Sequence, residues 1–273
     1  MNFRALLTAA AVAVVPTLLT AQPPGSEQAA ARLESSPRHG ELVDIQLPGG
    51  QAALKTWVVY PERKDRAPAV IVIHEIYGLT DWLRGVADQL AADGFIALAP
   101  DLLSGKGPGG GGTESFASRD EVVQQIRGLD AAEVHAKLDA VRAYAIALPA
   151  ASGKSATIGF CWGGSTSFAY AAAQPELDAA VVYYGTAPEA DLLAAIEAPV
   201  LGLYGGDDAR VTTTVAPTDQ EMQRLGKRYE HEIYEGAGHG FLRDQSGRDG
   251  ANAKAAEQAW PRTLKFLRQH TGG

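Results

Sequence analysis

Ala156-Thr157-Ile158-Gly159-Phe160-Cys161-Trp162-Gly163-Gly164 is the stretch on which the reading of this chain turns. Ala156–Phe160 is a short apolar run that predicts a strand, and the alanine-rich Gly163–Ala173 behind it predicts a helix. Between them stands G-x-Cys-x-G. A reactive side chain on a sharp strand-to-helix turn needs small neighbours, because Cβ atoms there would meet the adjoining strand and helix. Such a turn lifts the Cys161 sulfur above the sheet edge. It also aims the Trp162 N–H, at a helix N-terminus, toward a developing oxyanion.

Outward from this stretch, strand and helix signals alternate. Val43–Leu47 and Leu54–Tyr60 read as strands joined by the turn Pro48-Gly49-Gly50. Ala69–His74 and Phe95–Ala99 read as buried strands, and Ala179–Tyr184, Val200–Tyr204 and Tyr229–Tyr234 continue the series. Helical patterning runs from a cap at Asp81 to about Ala92, through Glu121–Leu148 with a break near Gly128, and around Glu189–Ile196. Further helices are expected from Thr218–Leu225 and over Ala251–His270. This alternation predicts an α/β fold: one domain over residues 41–273, with a mostly parallel central sheet and helices on both faces. Ligands of such sheets sit at the carboxyl ends of the strands. The glycine-rich Ser104–Thr113 lacks the G-x-x-x-x-G-K-[ST] order and reads as a flexible loop, not a phosphate cradle.

Residues 1–21 carry Arg4, an apolar run from Ala5 to Leu19 and then small residues, the layout of a signal peptide cleaved after Ala21. Pro16 interrupts the run, which is short of the ~20 apolar residues of a membrane span. An exported protein, periplasmic or secreted, is therefore expected, without stable membrane insertion after cleavage. Residues 22–40, rich in Pro, Ala, Ser and Gln, read as a flexible leader. A net charge of −8 argues against nucleic acid as the main partner. Cys161 is the only cysteine, so an internal disulfide is excluded. A monomer or small homo-oligomer is expected.

A free thiol has a pKa of about 8.5, and a helix N-terminus or a nearby imidazole lowers it. Of the six histidines, His39 lies in the leader, His270 at the tail, His135 on a helix face and His231 within a strand. His74 closes a buried strand. His239 stands apart, in Gly236-Ala237-Gly238-His239-Gly240-Phe241 just beyond a strand, where this architecture places a base. Between Cys161 and His239, a strand ends in Asp207-Asp208. One of the two can orient the imidazole; their spacing does not choose between them. At the end of the central strand, His74-Glu75-Ile76-Tyr77-Gly78 occupies the place of a second oxyanion donor. A carboxylate there would hold a neighbouring thiol protonated. Neither His74-Glu75 nor His231-Glu232 continues to H-E-x-x-H, so no metal and no cofactor is expected.

HEIYG (74–78), GFCWGG (159–164), GGDDARV (205–211) and GAGHGF (236–241), in that order, resemble the dienelactone hydrolase (carboxymethylenebutenolidase) family of α/β-hydrolases over residues 40–270. The resemblance implies Cys161 as nucleophile, His239 as base, Asp208 as acid and Glu75 as the carboxylate that holds the resting thiol. It implies an oxyanion hole from the Ile76 and Trp162 N–H groups. Substrate-binding roles fall to Arg243 and Tyr77, with Lys106 expected in place of a second arginine. The implied activity is hydrolysis of small esters or lactones through a thioester. Two other readings use the same residues: a redox-responsive thiol protein, which would lack a resolving cysteine, and a non-catalytic binder of small carboxylates.

Overall fold

A computed structural model describes residues 22–272, so the 1–21 segment lies outside the described residues. Eight strands form one sheet in the order β1-β2-β4-β3-β5-β6-β7-β8. They are β1 (Gly40–Ile45), β2 (Leu54–Val59), β3 (Ala67–Ile73), β4 (Ile96–Pro100), β5 (Ala151–Phe160), β6 (Ala179–Tyr183), β7 (Val200–Gly205) and β8 (Tyr229–Tyr234). β2 runs antiparallel to both β1 and β4, and every other pairing is parallel. All seven residues of β3 are buried, as a central strand covered on both faces requires.

The helices are α1 (Ala29–Glu34), α2 (Asp81–Ala92), α3 (Arg119–Arg127), α4 (Ala131–Ala147), α5 (Trp162–Ala173), α6 (Ala209–Arg224) and α7 (Ala251–Thr271). α2 and α7 pack on one face through residues such as Val86, Leu90, Trp260 and Leu264. α4, α5 and α6 cover the other through Leu138, Val141, Phe168 and Val215. No described helix is long and apolar enough to cross a membrane.

Most expected elements fall within a few residues of their places; four differences are informative. The cap of α2 is Thr80, whose side chain accepts from the Leu83 N–H, while Asp81 is the first helical residue. Residues 190–195 form a 3-10 helix, not an α-helix. α6 begins nine residues before Thr218, because burial of Val211 and Val215 holds a Thr-rich, Pro217-containing segment helical. Finally, residues 22–40 are not a flexible leader. Ala29 is buried against α2, and Arg38 forks onto the buried Asp88 at 2.9 and 2.6 Å. The Ser26 N–H donates to Arg243 O at 2.9 Å, and Gln245 Nε2 donates to Pro23 O at 2.9 Å. This segment is thereby strapped across the loop after β8.

Candidate active site

Cys161 sits between β5 and α5 with φ 55° and ψ −116°, a conformation that costs a non-glycine residue energy and persists only where its surroundings dictate it. The surroundings here are backbone. A Cβ on Gly159 would lie 1.9 Å from Gly163 O, one on Gly163 would lie 2.3 Å from His74 O, and one on Gly164 would lie 2.5 Å from Tyr183 O. Side chains at these positions are therefore excluded, and the turn is as tight as the sequence pattern demanded.

Asp208, the residue before α6, does not cap that helix with its side chain. Its Oδ2 lies 2.5 Å from His239 Nδ1 instead. That contact assigns the ring proton to Nδ1 and leaves Nε2 as acceptor. Asp207 points away, exposed, to Arg248 Nη1 at 3.1 Å. The choice left open by spacing thus falls on Asp208. The loops that carry the pair are locked together, since a Cβ on Gly205 would meet Gly238 O at 2.4 Å. Tyr184 packs edge-on against the His239 ring at 5.1 Å.

Glu75 is buried, and Arg243 Nε approaches its Oε2 at 2.7 Å, out of line for a hydrogen bond. Burial raises the Glu75 carboxyl to about 7, against the counter-pull of Arg243. Burial also pushes the Cys161 thiol up, and the Glu75 charge adds to that. The Trp162 N–H, Arg210 and Arg243 oppose these effects without overcoming them. Glu75 thus acts on the thiol in the direction expected of a carboxylate at this place, against the helix N-terminus. Burial and the Glu75 charge both favour the protonated form of the sulfur.

Cys161, Trp162, Glu75, Ile76, Tyr77, His239 and Arg243 line one cavity of about 520 Å³. Among the described residues no loop or turn carbonyl takes the N–H of Ile76, and the Trp162 N–H is turned to the Cys161 sulfur. Lys106 does not belong to this cavity. The glycine-rich loop closes on Asp101, which receives the Thr113 N–H and hydroxyl, each at 2.7 Å. That closure sends the Lys106 ammonium to Glu133 at 2.7 Å. Arg127, at the end of α3, and Arg210, in the first turn of α6, line the cavity instead, and neither has an ion-pair partner among the described residues. Tyr184 and Ser165 also line it. Nothing local in the sequence marked these four as site residues. Arg210 lies within a stretch already singled out, and Arg127 is one of several charged residues on a polar helix.

An eight-stranded, mostly parallel sheet with a strained residue between strand and helix, and an Asp–His pair on the loops after β7 and β8, defines an α/β-hydrolase. The chain belongs to the dienelactone hydrolase family, which it matches over residues 54–271. It is 33% identical over 220 residues to the Escherichia coli K12 protein named "Putative carboxymethylenebutenolidase", covering 75% of this chain and 78% of the relative. A Klebsiella pneumoniae crystal structure, "Putative Dienelactone Hydrolase", superposes with a TM-score of 0.74 at 28% identity, covering 85% of this chain and 99% of that one. The dienelactone hydrolase-like promiscuous phosphotriesterase P91 from metagenomic libraries follows at 0.71 and 26% identity, over 85% and 98% of the two chains. The protein is accordingly a carboxylic ester hydrolase acting on lactones or esters.

Proposed function

We propose that this enzyme opens small esters or lactones through a Cys161–His239–Asp208 triad and a thioester intermediate. The observation that carries this reading is convergence: Cys161 in its strained turn and the Asp208-bound imidazole face one cavity beside a buried carboxylate. In the resting state Glu75 and burial keep the sulfur protonated. A substrate anion drawn to Arg243 displaces the Glu75 carboxylate. His239 Nε2 then takes the thiol proton, and Asp208 stabilises the imidazolium. The sulfur adds to the carbonyl carbon, and the oxygen that gains charge meets the N–H groups of Ile76 and Trp162. Collapse breaks the ester C–O bond, and His239 returns the proton to the leaving oxygen. Water, deprotonated by His239, next attacks the thioester, and the thiolate leaves and is reprotonated.

Arg127, Arg210 and Arg243 around the cavity favour an anionic ester, with the first two in the role expected of Lys106. The raised thiol speaks against a redox-responsive protein, because sensing thiols are thiolates at rest. The signal-peptide pattern of residues 1–21 supports export of this enzyme from the cytoplasm.

Hydrolysis of p-nitrophenyl acetate and of a dienelactone by wild type, Cys161→Ala and Cys161→Ser tests the reading. The alanine variant is expected to lose at least about 10³-fold in kcat. Mass spectrometry of acid-quenched wild type is expected to show the acyl group on the tryptic peptide holding Cys161. Full activity in Cys161→Ala would overturn the proposal.

A further inference from the structure

Behind the wall of the catalytic cavity lies a second chamber of about 570 Å³, and the two share Tyr77 and Arg243. We propose that this chamber binds the remote end of the acyl arm of the substrate, and that this end is an aromatic ring bearing a carboxylate. The proposal deepens the hydrolase reading above and rests on it.

Two observations point to such a ligand. Trp82, Phe116 and Val122 give the chamber aromatic and aliphatic walls, which suit a flat apolar ring. Arg119 lies 3.6 Å over the Tyr77 ring, at the junction of the two cavities, and makes no ion pair among the described residues. A guanidinium held flat on an aromatic ring keeps its N–H edge free for a carboxylate.

The acyl arm is the one that reaches the chamber. His239 must meet the leaving oxygen, and His239 does not line the chamber. Tyr77, which does, follows the oxyanion donor Ile76 directly in the chain. An acyl chain lying away from His239 therefore passes Tyr77. Ser26, from the segment before β1, lies on the rim of this chamber and precedes the family match, which starts at residue 54.

The test compares p-nitrophenyl butanoate with the p-nitrophenyl ester of 4-(4-carboxyphenyl)butanoic acid on the full chain. Wild type is expected to favour the aryl ester in kcat/KM by about tenfold. Phe116→Ala strips away an aromatic wall, and Ala117→Trp fills the chamber from an exposed rim position. Both should bring the preference close to one while butanoate turnover stays within about twofold. The proposal is overturned if both esters lose rate together, or if the preference survives in both variants. Calorimetry with the free diacid separates the two readings. Should wild type cleave neither ester, the hydrolase reading fails; diacid binding that Ala117→Trp abolishes would still support the chamber, and binding unchanged by that substitution would overturn it.

Discussion

The glycines of the Cys161 turn and those at the tip of the loop before α3 answer different constraints. Around Cys161 the glycines are dictated by close backbone contact, with added Cβ atoms falling 1.9–2.5 Å from carbonyl oxygens at Gly159, Gly163 and Gly164. In the loop before α3, Gly109 and Gly110 have nothing within 4 Å and are glycines only because their φ angles are 66° and 78°. The first set thus answers a packing constraint, whereas the second, at a loop tip flanked by the closely packed Gly107 and Gly112, answers a turn. The first fixes the geometry of a reaction, whereas the second lets a loop wrap Asp101 and carry Lys106 out of the site.

Substitution by alanine breaks this comparison most directly. Gly163→Ala is expected to cost more than about 4 kcal/mol and to abolish activity, because the clashing atoms at 2.3 and 2.4 Å are the carbonyl oxygens of His74 and Ile73. Gly110→Ala is expected to cost only about 1 kcal/mol, the penalty of a left-handed φ, and to leave turnover unchanged. Urea unfolding and ester hydrolysis on the two variants check both halves. Equal costs would mean that the elbow is not held by backbone contact.

A smaller but still large effect separates two neighbours in sequence. Asp208→Asn keeps the shape of the acid but removes its preference for Nδ1–H, and kcat is expected to fall about 10³–10⁴-fold. Asp207→Asn touches an exposed ion pair to Arg248 and should change kcat less than about twofold. Steady-state kinetics on the pair decide it. A large loss in Asp207→Asn with little in Asp208→Asn would reverse the assignment.

What could be read in the sequence follows from the same division. Features forced by the backbone leave local signs: the apolar run of β5, the glycines flanking Cys161, and His239 among small residues after β8. Choices made by side-chain direction leave none. Asp207 and Asp208 differ by one residue on a turn, so only the packed loops decide which faces His239. Lys106 was sought by position in the chain, yet a loop closing on Asp101 turned it to Glu133. Arg127 and Arg210 reach the cavity with long side chains from helix ends, where a charged residue ordinarily signals a solvated surface. The start of α6 and the packing of residues 22–40 were hidden for a related reason. Polar, Pro-containing segments read as loops until burial of a few residues, Val211 and Val215 in one case and Ala29 in the other, holds them in place.

Glu75 belongs to both classes, and its titration sharpens the contrast by the smallest of the three effects. Its place after β3 was legible, but its ionisation is set by burial, which raises the carboxyl from the ordinary 4.5 to about 7. Between those two values the folded chain holds a proton that the unfolded chain has released, so stability falls as pH rises through this window. The loss amounts to roughly 3 kcal/mol once pH exceeds the folded value. Glu75→Gln stays neutral throughout. Its stability relative to wild type should therefore be near parity below pH 4 and rise to a gain of roughly 3 kcal/mol above pH 7. Thermal unfolding from pH 4 to 8 measures the gap. Activity should move the other way, since a neutral amide neither repels the thiolate nor is displaced by a substrate anion, and the variant should lose the selectivity for anionic over neutral esters expected of wild type. A gap that does not widen with pH would mean that Glu75 titrates as an ordinary carboxyl, and that its full negative charge stands beside the thiol throughout the neutral range.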